Sequence, residues 1–181
     1  MKFTATDKQN PKDLVVVICF GNPLRGDDGV GRAVAAELMA RRSSADERLY
    51  VVFAHQLTPE LALPLSRASV AIFVDAAADL LPGEIDRRHV TAGGRHAPHG
   101  LCHHQSIGSV LTFAEHLFGS VPESWAITVG GAHWGYRTEL SAPVRASVSK
   151  VLRDIDVIVA SRASSSTTRR SRGVAAVRVG G

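Results

Sequence analysis

Short apolar runs alternate along this chain with segments whose apolar residues recur every three or four positions. The runs over residues 14–20, 50–54, 70–74 and 125–129 are of strand length and apolar at nearly every position. Such runs are typical of strands buried on both faces of a parallel sheet. A weaker run, which begins in the turn at residues 80–85, predicts an edge strand. The alternation of strands and helices predicts one three-layer α/β domain, with a mostly parallel sheet and helices on both faces.

The helical segments carry recognisable end signals. A serine or threonine before a helix can accept hydrogen bonds from its first N–H groups, and glycine favours its end. In the first segment, Val30, Val34 and Leu38 form an apolar stripe. In the second, Thr58 and Pro59 mark the start. The third runs from Ser106 or Ser109 to Gly119, and the last from Ser141 to Ile155. These signals place a helix or a helical turn after nearly every strand.

Composition divides the chain at about residue 160. The 181 residues have a net charge of +4, and the 21 basic residues include five arginines within residues 161–181, where no acid occurs. The remaining 16 basic residues face 17 acidic ones, so the body of the chain is nearly neutral. We therefore expect a folded domain over residues 14–160 and a disordered tail rich in Arg and Ser over residues 161–181.

Several functional classes lose support at this level. A neutral body without interleaved aromatic residues does not favour nucleic-acid binding. No apolar run reaches the ~18 residues of a membrane helix, and the polar start does not resemble a signal peptide. With only two cysteines, Cys19 and Cys102, a disulfide framework is not expected. The sequence thus predicts a cytoplasmic protein that binds neither nucleic acid nor membranes.

The first strand leads into a glycine-punctuated loop, GNPLRGDDGVG at residues 21–31, which turns into the first helix. A loop of this kind often binds phosphate at the helix N-terminus. Here Asp27 and Asp28 would repel phosphate and attract a cation, and both common nucleotide-binding fingerprints are missing. Either aspartate could instead serve as a turn or N-cap residue. The loop favours metal chemistry over nucleotide binding.

Three ionisable groups fall near the carboxyl ends of the predicted strands, where α/β sheets bind ligands. Asp28 follows the first strand, Asp75 follows the third, and His103 and His104 precede the helix that contains Val110. Two carboxylates and one imidazole form an open site for a borderline divalent cation such as nickel or zinc. A cation held in this way can polarise a carbonyl group and lower the pKa of bound water, as amide hydrolysis requires.

The loop before that helix suggests a second metal hypothesis. His96, His99 and Cys102 precede the two histidines at spacings that resemble a zinc cluster. Structural zinc sites draw paired ligands from two separated segments, and the sequence offers no second Cys/His pair. A nucleophilic pair of Cys102 and His103 is disfavoured as well, because neighbours on an extended segment point apart.

Taken together, these motifs resemble the [NiFe]-hydrogenase maturation endopeptidases over about residues 14–155. Residues 21–31 look like that family's signature loop, whose second acid binds metal, which assigns Asp28. Residues 73–76 resemble the second ligand segment and assign Asp75. Matching the following helix without a gap assigns the third ligand to His103, with His104 as the alternative. Residues 132–137 differ from the acidic segment that is usual in the family, so contacts with the substrate are expected to differ.

The resemblance implies a five-stranded twisted sheet and a proteolytic task. It implies that the protein removes the C-terminal extension of a hydrogenase large-subunit precursor after nickel insertion, probing nickel that belongs to the substrate. It further implies no intrinsic cofactor, a site that could also accept cadmium or zinc, and a monomer. Two alternatives are a non-catalytic nickel-recognition or chaperone protein on the same fold, and a doubly wound nucleotide-binding module. Precursor cleavage distinguishes the first alternative, and stabilisation by nucleotides the second.

Overall fold

The computed structural model describes residues 14–41, 48–93 and 106–172, with side chains described up to residue 161. Five strands and four α-helices make up these ranges, together with two short 3₁₀ turns at Gly26–Gly29 and Pro59–Leu61. In chain order the elements are β1 (Val15–Phe20), α1 (Val30–Arg41), β2 (Leu49–Ala54), α2 (Ala62–Arg67), β3 (Val70–Ala77), β4 (Ile85–Val90), α3 (Ile107–Phe118), β5 (Glu123–Gly130) and α4 (Ala142–Arg172).

The strands form one sheet in the order β2-β1-β3-β5-β4. All neighbours pair in parallel except β4, which runs antiparallel along β5 at the edge. The predicted fold class, a five-stranded mostly parallel sheet, is confirmed. From β2 the chain crosses to the other side of β1 to form β3. The strand order therefore reverses between β1 and β3, and the crevice at their carboxyl ends is where such sheets bind ligands.

Each face of the sheet has its own apolar core. In β3, Ile72 and Val74 pack with α1 and α4, whereas Ala71 and Phe73 pack with α2 and α3. Successive side chains of a strand point to opposite faces, so Asp75 belongs to the face covered by α2 and α3. The buried Cys19 lies on the other face, and burial raises the pKa of its thiol to about 12. Cys19 is therefore an unreactive core residue.

The predicted end signals of α3 are confirmed, whereas Thr58 occupies the N-cap position of the 3₁₀ turn before α2 without a side-chain capping hydrogen bond. The Ser106 hydroxyl accepts a hydrogen bond from the Ser109 N–H at 3.1 Å, which identifies Ser106 as the N-cap of α3. Gly119 ends the same helix in the left-handed conformation, with φ of 68°. Thr58 precedes Pro59 at the start of the 3₁₀ turn that leads into α2. Local sequence thus determines where the helices on this face begin and end.

Two elements extend beyond their predicted ends. β3 continues past Asp75 to Ala77 because it pairs with β5 as far as Gly130, so Asp75 lies within a strand and not after one. The backbone of α4 is helical to Arg172, whereas composition predicted a tail without structure from residue 161. A composition poor in apolar residues predicts little burial, but it does not prevent helix propagation from a preceding stable helix. That the tail contributes little to stability stays a prediction.

Within the described ranges, no helix combines the length and the apolar character that crossing a membrane requires.

Candidate metal-recognition site

The loop after β1 folds back sharply, so that Asp28 lies against Gly21 at the end of β1. Gly21 has φ of 131°, and a Cβ there would collide with the backbone oxygen of Asp28. Only glycine allows this approach. The Asn22 N–H donates to Asp28 Oδ2 at 3.0 Å, which fixes the carboxylate beside the loop's entrance. Asp28 is partly exposed, so its carboxylate is held but accessible to a ligand.

Asp75 approaches the same point from β3. Burial raises the pKa of Asp75 from 3.8 to about 7, the Ala76 N–H opposes this rise, and the negative charge of Asp28 adds to it. In the parallel pairing of β1 with β3, Asp75 lies one residue beyond the Cys19–Val74 pair, and the Asp28 carboxylate is bound by Asn22 just after the end of β1. Asp28 and Asp75 therefore lie at the same edge of the sheet, where the strand order reverses.

The surroundings of this carboxylate pair fit a divalent cation. Two carboxylates that share a partly buried space repel each other, and one of them tends to remain protonated. A divalent cation between them replaces that proton and removes the repulsion. Oxygen ligands of this type suit hard or borderline metal ions. The pair can therefore supply two ligands of an open coordination sphere.

The predicted third ligand, His103 or His104, lies outside the described residues, as do His96, His99 and Cys102 of the second metal hypothesis. Over residues 14–41, 48–93 and 106–172, no group of three His, Cys, Asp or Glu side chains could hold a metal ion. The first described residue after these histidines is Ser106, the N-cap of α3. Helix α3 covers the same sheet face as Asp75. The assignment of the histidine stays a prediction.

Asp27, the neighbour of Asp28, has a different environment. Its side chain is fully buried, and its carboxylate accepts three backbone hydrogen bonds. Oδ2 accepts from the N–H groups of Ala132 at 2.7 Å and His133 at 2.9 Å, and Oδ1 accepts from Ser141 at 2.7 Å. Burial alone would raise the pKa of Asp27, but these donors outweigh it and hold the pKa below its usual value. Asp27 is therefore a buried anion that joins two loops.

Both aspartates lie inside the 3₁₀ turn Gly26–Gly29, whose N-cap is Arg25, so both are turn residues, as the alternative expected, and neither caps that turn. The partners of Asp27 lie 105 to 114 residues further along the chain, so no local signal could have revealed them. The acidic doublet itself was the one available hint. The two aspartates differ in role: Asp27 binds the loop to residues 132–141, and Asp28 is partly exposed beside the crevice.

Two further polar side chains line the sheet beside Asp75 and were not predicted. Thr128 of β5 pairs with Asp75 on one side and with Asp86 of β4 on the other. Paired residues of adjacent strands point to the same face, so the three side chains form a row across the sheet. Asp86 also forms an ion pair with Arg88 at 3.5 Å. The site is thus continuous with a polar strip that leads to the sheet edge.

Comparison with solved structures identifies proteins with this architecture. The hydrogenase maturating endopeptidase HybD from E. coli superposes with a TM-score of 0.65 at 19% identity, covering 78% of this chain and 89% of that one. This chain has the fold of the hydrogenase maturation endopeptidases. The [NiFe] hydrogenase maturation protease HybD from Thermococcus kodakarensis shares the endopeptidase fold with a TM-score of 0.61 at 21% identity, covering 81% and 99%.

A third example of the endopeptidase fold is the hydrogenase 2 maturation peptidase from a Thaumarchaeota archaeon, with a TM-score of 0.57 at 23% identity and coverage of 78% and 95%. No protein-family model and no curated protein sequence matches this chain. At these identities the likeness establishes the fold and leaves function to the site. The fold that the sequence resemblance implied is confirmed.

Proposed function

We propose that this protein is an endopeptidase that removes the C-terminal extension from the large-subunit precursor of a [NiFe] hydrogenase after nickel insertion. The observation that carries the proposal is the meeting of Asp28 and Asp75 where the strand order reverses, in a sheet with the endopeptidase fold. Both carboxylates are partly exposed, and a cation bound between them would remove their mutual repulsion. A metal-bearing substrate supplies that cation.

In this proposal nickel belongs to the substrate, and the protein needs no intrinsic cofactor. Asp28, Asp75 and His103, with His104 as the alternative, complete the coordination sphere of an ion that the precursor already holds. A precursor without nickel offers no cation to separate the two carboxylates, so it docks poorly and is not cut. Cadmium or zinc can occupy the same ligands. The protein acts as a monomer in the cytoplasm, and its macromolecular partner is the precursor.

Hydrolysis then needs a water molecule activated near the scissile carbonyl group. The water oxygen attacks the carbonyl carbon, the peptide C–N bond breaks, and the water's protons pass to the new amine and to solvent. Nickel can lower the pKa of that water, and an aspartate whose pKa lies near neutrality is suited to accept a proton. Both routes place the scissile bond beside Asp28 and Asp75.

The decisive experiment compares nickel-loaded and nickel-free precursors of a hydrogenase encoded in the same genome. Incubation with the purified protein should shorten only the loaded precursor, as seen by gel shift and by mass spectrometry of the released peptide. Asp28→Asn serves as the inactive control. Equal cleavage of both precursors would overturn the role of nickel. Binding of the loaded precursor without any cleavage would favour the nickel-recognition alternative.

The same assay tests the choice of histidine. His103→Ala should abolish processing, because it removes a nitrogen ligand from the site, whereas His104→Ala should be much milder. Both variants have the same change in composition, so each is the other's control. Loss of processing in His104→Ala alone would shift the ligand assignment by one residue.

A further inference from the structure

Two arginines are paired through their backbones at the loop that carries Asp28. Arg25, in the loop after β1, and Arg137, in the loop after β5, face each other in a parallel bridge. The Gly26 N–H donates to the Arg137 carbonyl oxygen at 2.8 Å, and the Arg137 N–H donates to the Leu24 carbonyl oxygen at 3.0 Å. The bridge therefore holds the backbones of the two arginines side by side.

Backbone contacts hold this pair in position. Gly26 has φ of 60°, and a Cβ there would lie 2.5 Å from the His133 carbonyl oxygen and 3.3 Å from Cγ of Arg137. The stem of Arg137 therefore crosses directly over Gly26. Beneath it, the buried carboxylate of Asp27 anchors the loop that carries Arg137. The backbone positions of the two arginines are thus set by the fold.

Within the described ranges, the arginine pair has no electrostatic partner. Both side chains are exposed, and no carboxylate of the described residues forms an ion pair with either guanidinium. Like charges directly opposite each other are destabilising. By contrast, Arg87 and Arg88 of the edge strand β4 each form an ion pair with an aspartate. The arginine pair therefore favours an external anion that can accept several N–H donors at once.

The position of the pair indicates which anion this is. Arg25 is three residues before Asp28, and the Asp28 N–H approaches the Arg25 carbonyl oxygen at 3.4 Å. A peptide whose scissile bond lies beside Asp28 passes the arginines within a few residues. A C-terminal extension is the one part of a precursor that necessarily ends in a free carboxylate. We propose that Arg25 and Arg137 form a subsite that binds a carboxylate of the extension, either its terminal group or an acidic side chain.

This inference rests on the proposed function for the identity of the peptide, but its test does not depend on cleavage. A synthetic peptide with the sequence of the precursor's extension is titrated into the wild-type protein and into variants by isothermal titration calorimetry. Arg25→Gln and Arg137→Gln should each weaken binding about tenfold, the usual effect of losing one charge-assisted contact at an exposed site. Arg→Lys at either position should restore part of the affinity, because the charge returns without the planar fork.

Arg153→Gln is the matched control, since Arg153 is an exposed arginine on the distant helix α4. Its affinity for the peptide should equal that of the wild-type protein. Thermal melts followed by circular dichroism check that all variants are folded, as expected for changes at exposed side chains.

Two modified peptides distinguish the sources of the carboxylate. If the terminal group is bound, amidation of the C-terminus reduces wild-type affinity to that of the double variant Arg25→Gln/Arg137→Gln. If an acidic side chain is bound, its replacement by the amide has that effect and terminal amidation does not. Equal affinity of wild type and double variant, no binding of the free peptide, or insensitivity to both modifications would each overturn the subsite. Absence of precursor cleavage by the wild-type protein would overturn the proposed function alone.

Discussion

Asp27 and Asp28 are adjacent in sequence and identical in chemistry, yet they lie in opposite environments. Asp27 is fully buried, and its charge is matched by three backbone donors that lower its pKa. Asp28 has one loop N–H donor and a neighbouring carboxylate, Asp75, whose pKa is raised to about 7. Three backbone donors thus stabilise the charge of Asp27, whereas burial destabilises a charge on Asp75, the neighbour of Asp28. The carboxylate of Asp27 is fully engaged by hydrogen bonds within the fold, whereas the carboxylates of Asp28 and Asp75 remain available to a ligand.

The largest expected effect is on activity and comes from Asp28. Asp28→Asn keeps the shape of the side chain but removes the charge that attracts a cation. Processing of the nickel-loaded precursor should fall about a hundredfold or more, in line with the loss of a metal ligand. The melting temperature should change little. A large loss of stability in Asp28→Asn would show that both members of the doublet are structural.

The next effect is on stability and comes from Asp27. Asp27→Asn replaces an anion that accepts three hydrogen bonds by an amide with a single oxygen, and its NH₂ group then faces N–H donors. We expect the free energy of unfolding to fall by about 3 kcal/mol, because bonds to a buried charge are among the stronger ones. Urea titration measures this change. Asp156→Asn, at an exposed position of α4, is the matched control.

The pH dependence of the same variant checks the cause. Since the pKa of Asp27 is lower in the folded state, its ionisation stabilises the fold fully above its unfolded pKa. That contribution is lost as the pH falls through the folded pKa. The stability difference between wild type and Asp27→Asn should therefore shrink on acidification below about pH 4. A constant difference would assign the loss to packing.

Asp75→Asn should have the opposite sign. Because the folded pKa of Asp75 rises from 3.8 to about 7, its ionisation costs stability progressively between these values, and the cost is constant above pH 7. Asp75→Asn removes that cost, so at pH 8 the variant should be more stable than wild type, by up to about 4 kcal/mol for a rise of roughly three pKa units. At pH 4 the two proteins should unfold at the same denaturant concentration. The variant should be inactive toward the loaded precursor.

The smallest effect is expected from the C-terminal tail. Deleting residues 161–181 removes a segment with five arginines and no acid, and its composition predicts little burial. The melting temperature and the processing rate should both stay close to those of the full chain. A drop of several degrees on truncation would show that the extended α4 contributes to the fold.

Much of this architecture was predictable because its signals are local. Apolar runs marked the strands, Ser106 and Gly119 marked the ends of α3, and the order of strands and helices implied a parallel sheet. Local signals also brought Asp28 and Asp75 to one edge of that sheet. The sequence did not reveal the role of Asp27, because its donors lie more than a hundred residues away.

The limits of local signals are also visible elsewhere. A charged residue suggested that β3 ends at Asp75, but pairing with β5 carries the strand on to Ala77. The Arg25–Arg137 pairing depends on the same long-range loop contact as the Asp27 hydrogen bonds, and nothing in the loop motif around Arg25 points to residue 137. Side chains whose role depends on tertiary contacts were therefore the ones that sequence reasoning missed.

The hydrogen bonds of Asp27 also set an order of events during synthesis. The loop that carries Asp28 emerges from the ribosome early, but the donors that Asp27 requires are supplied by Ala132, His133 and Ser141. Until residue 141 has been made, the buried carboxylate lacks its partners and the loop cannot close. The site is therefore completed only when β5 and the start of α4 exist. A nascent chain, or one truncated before residue 141, cannot complete this loop.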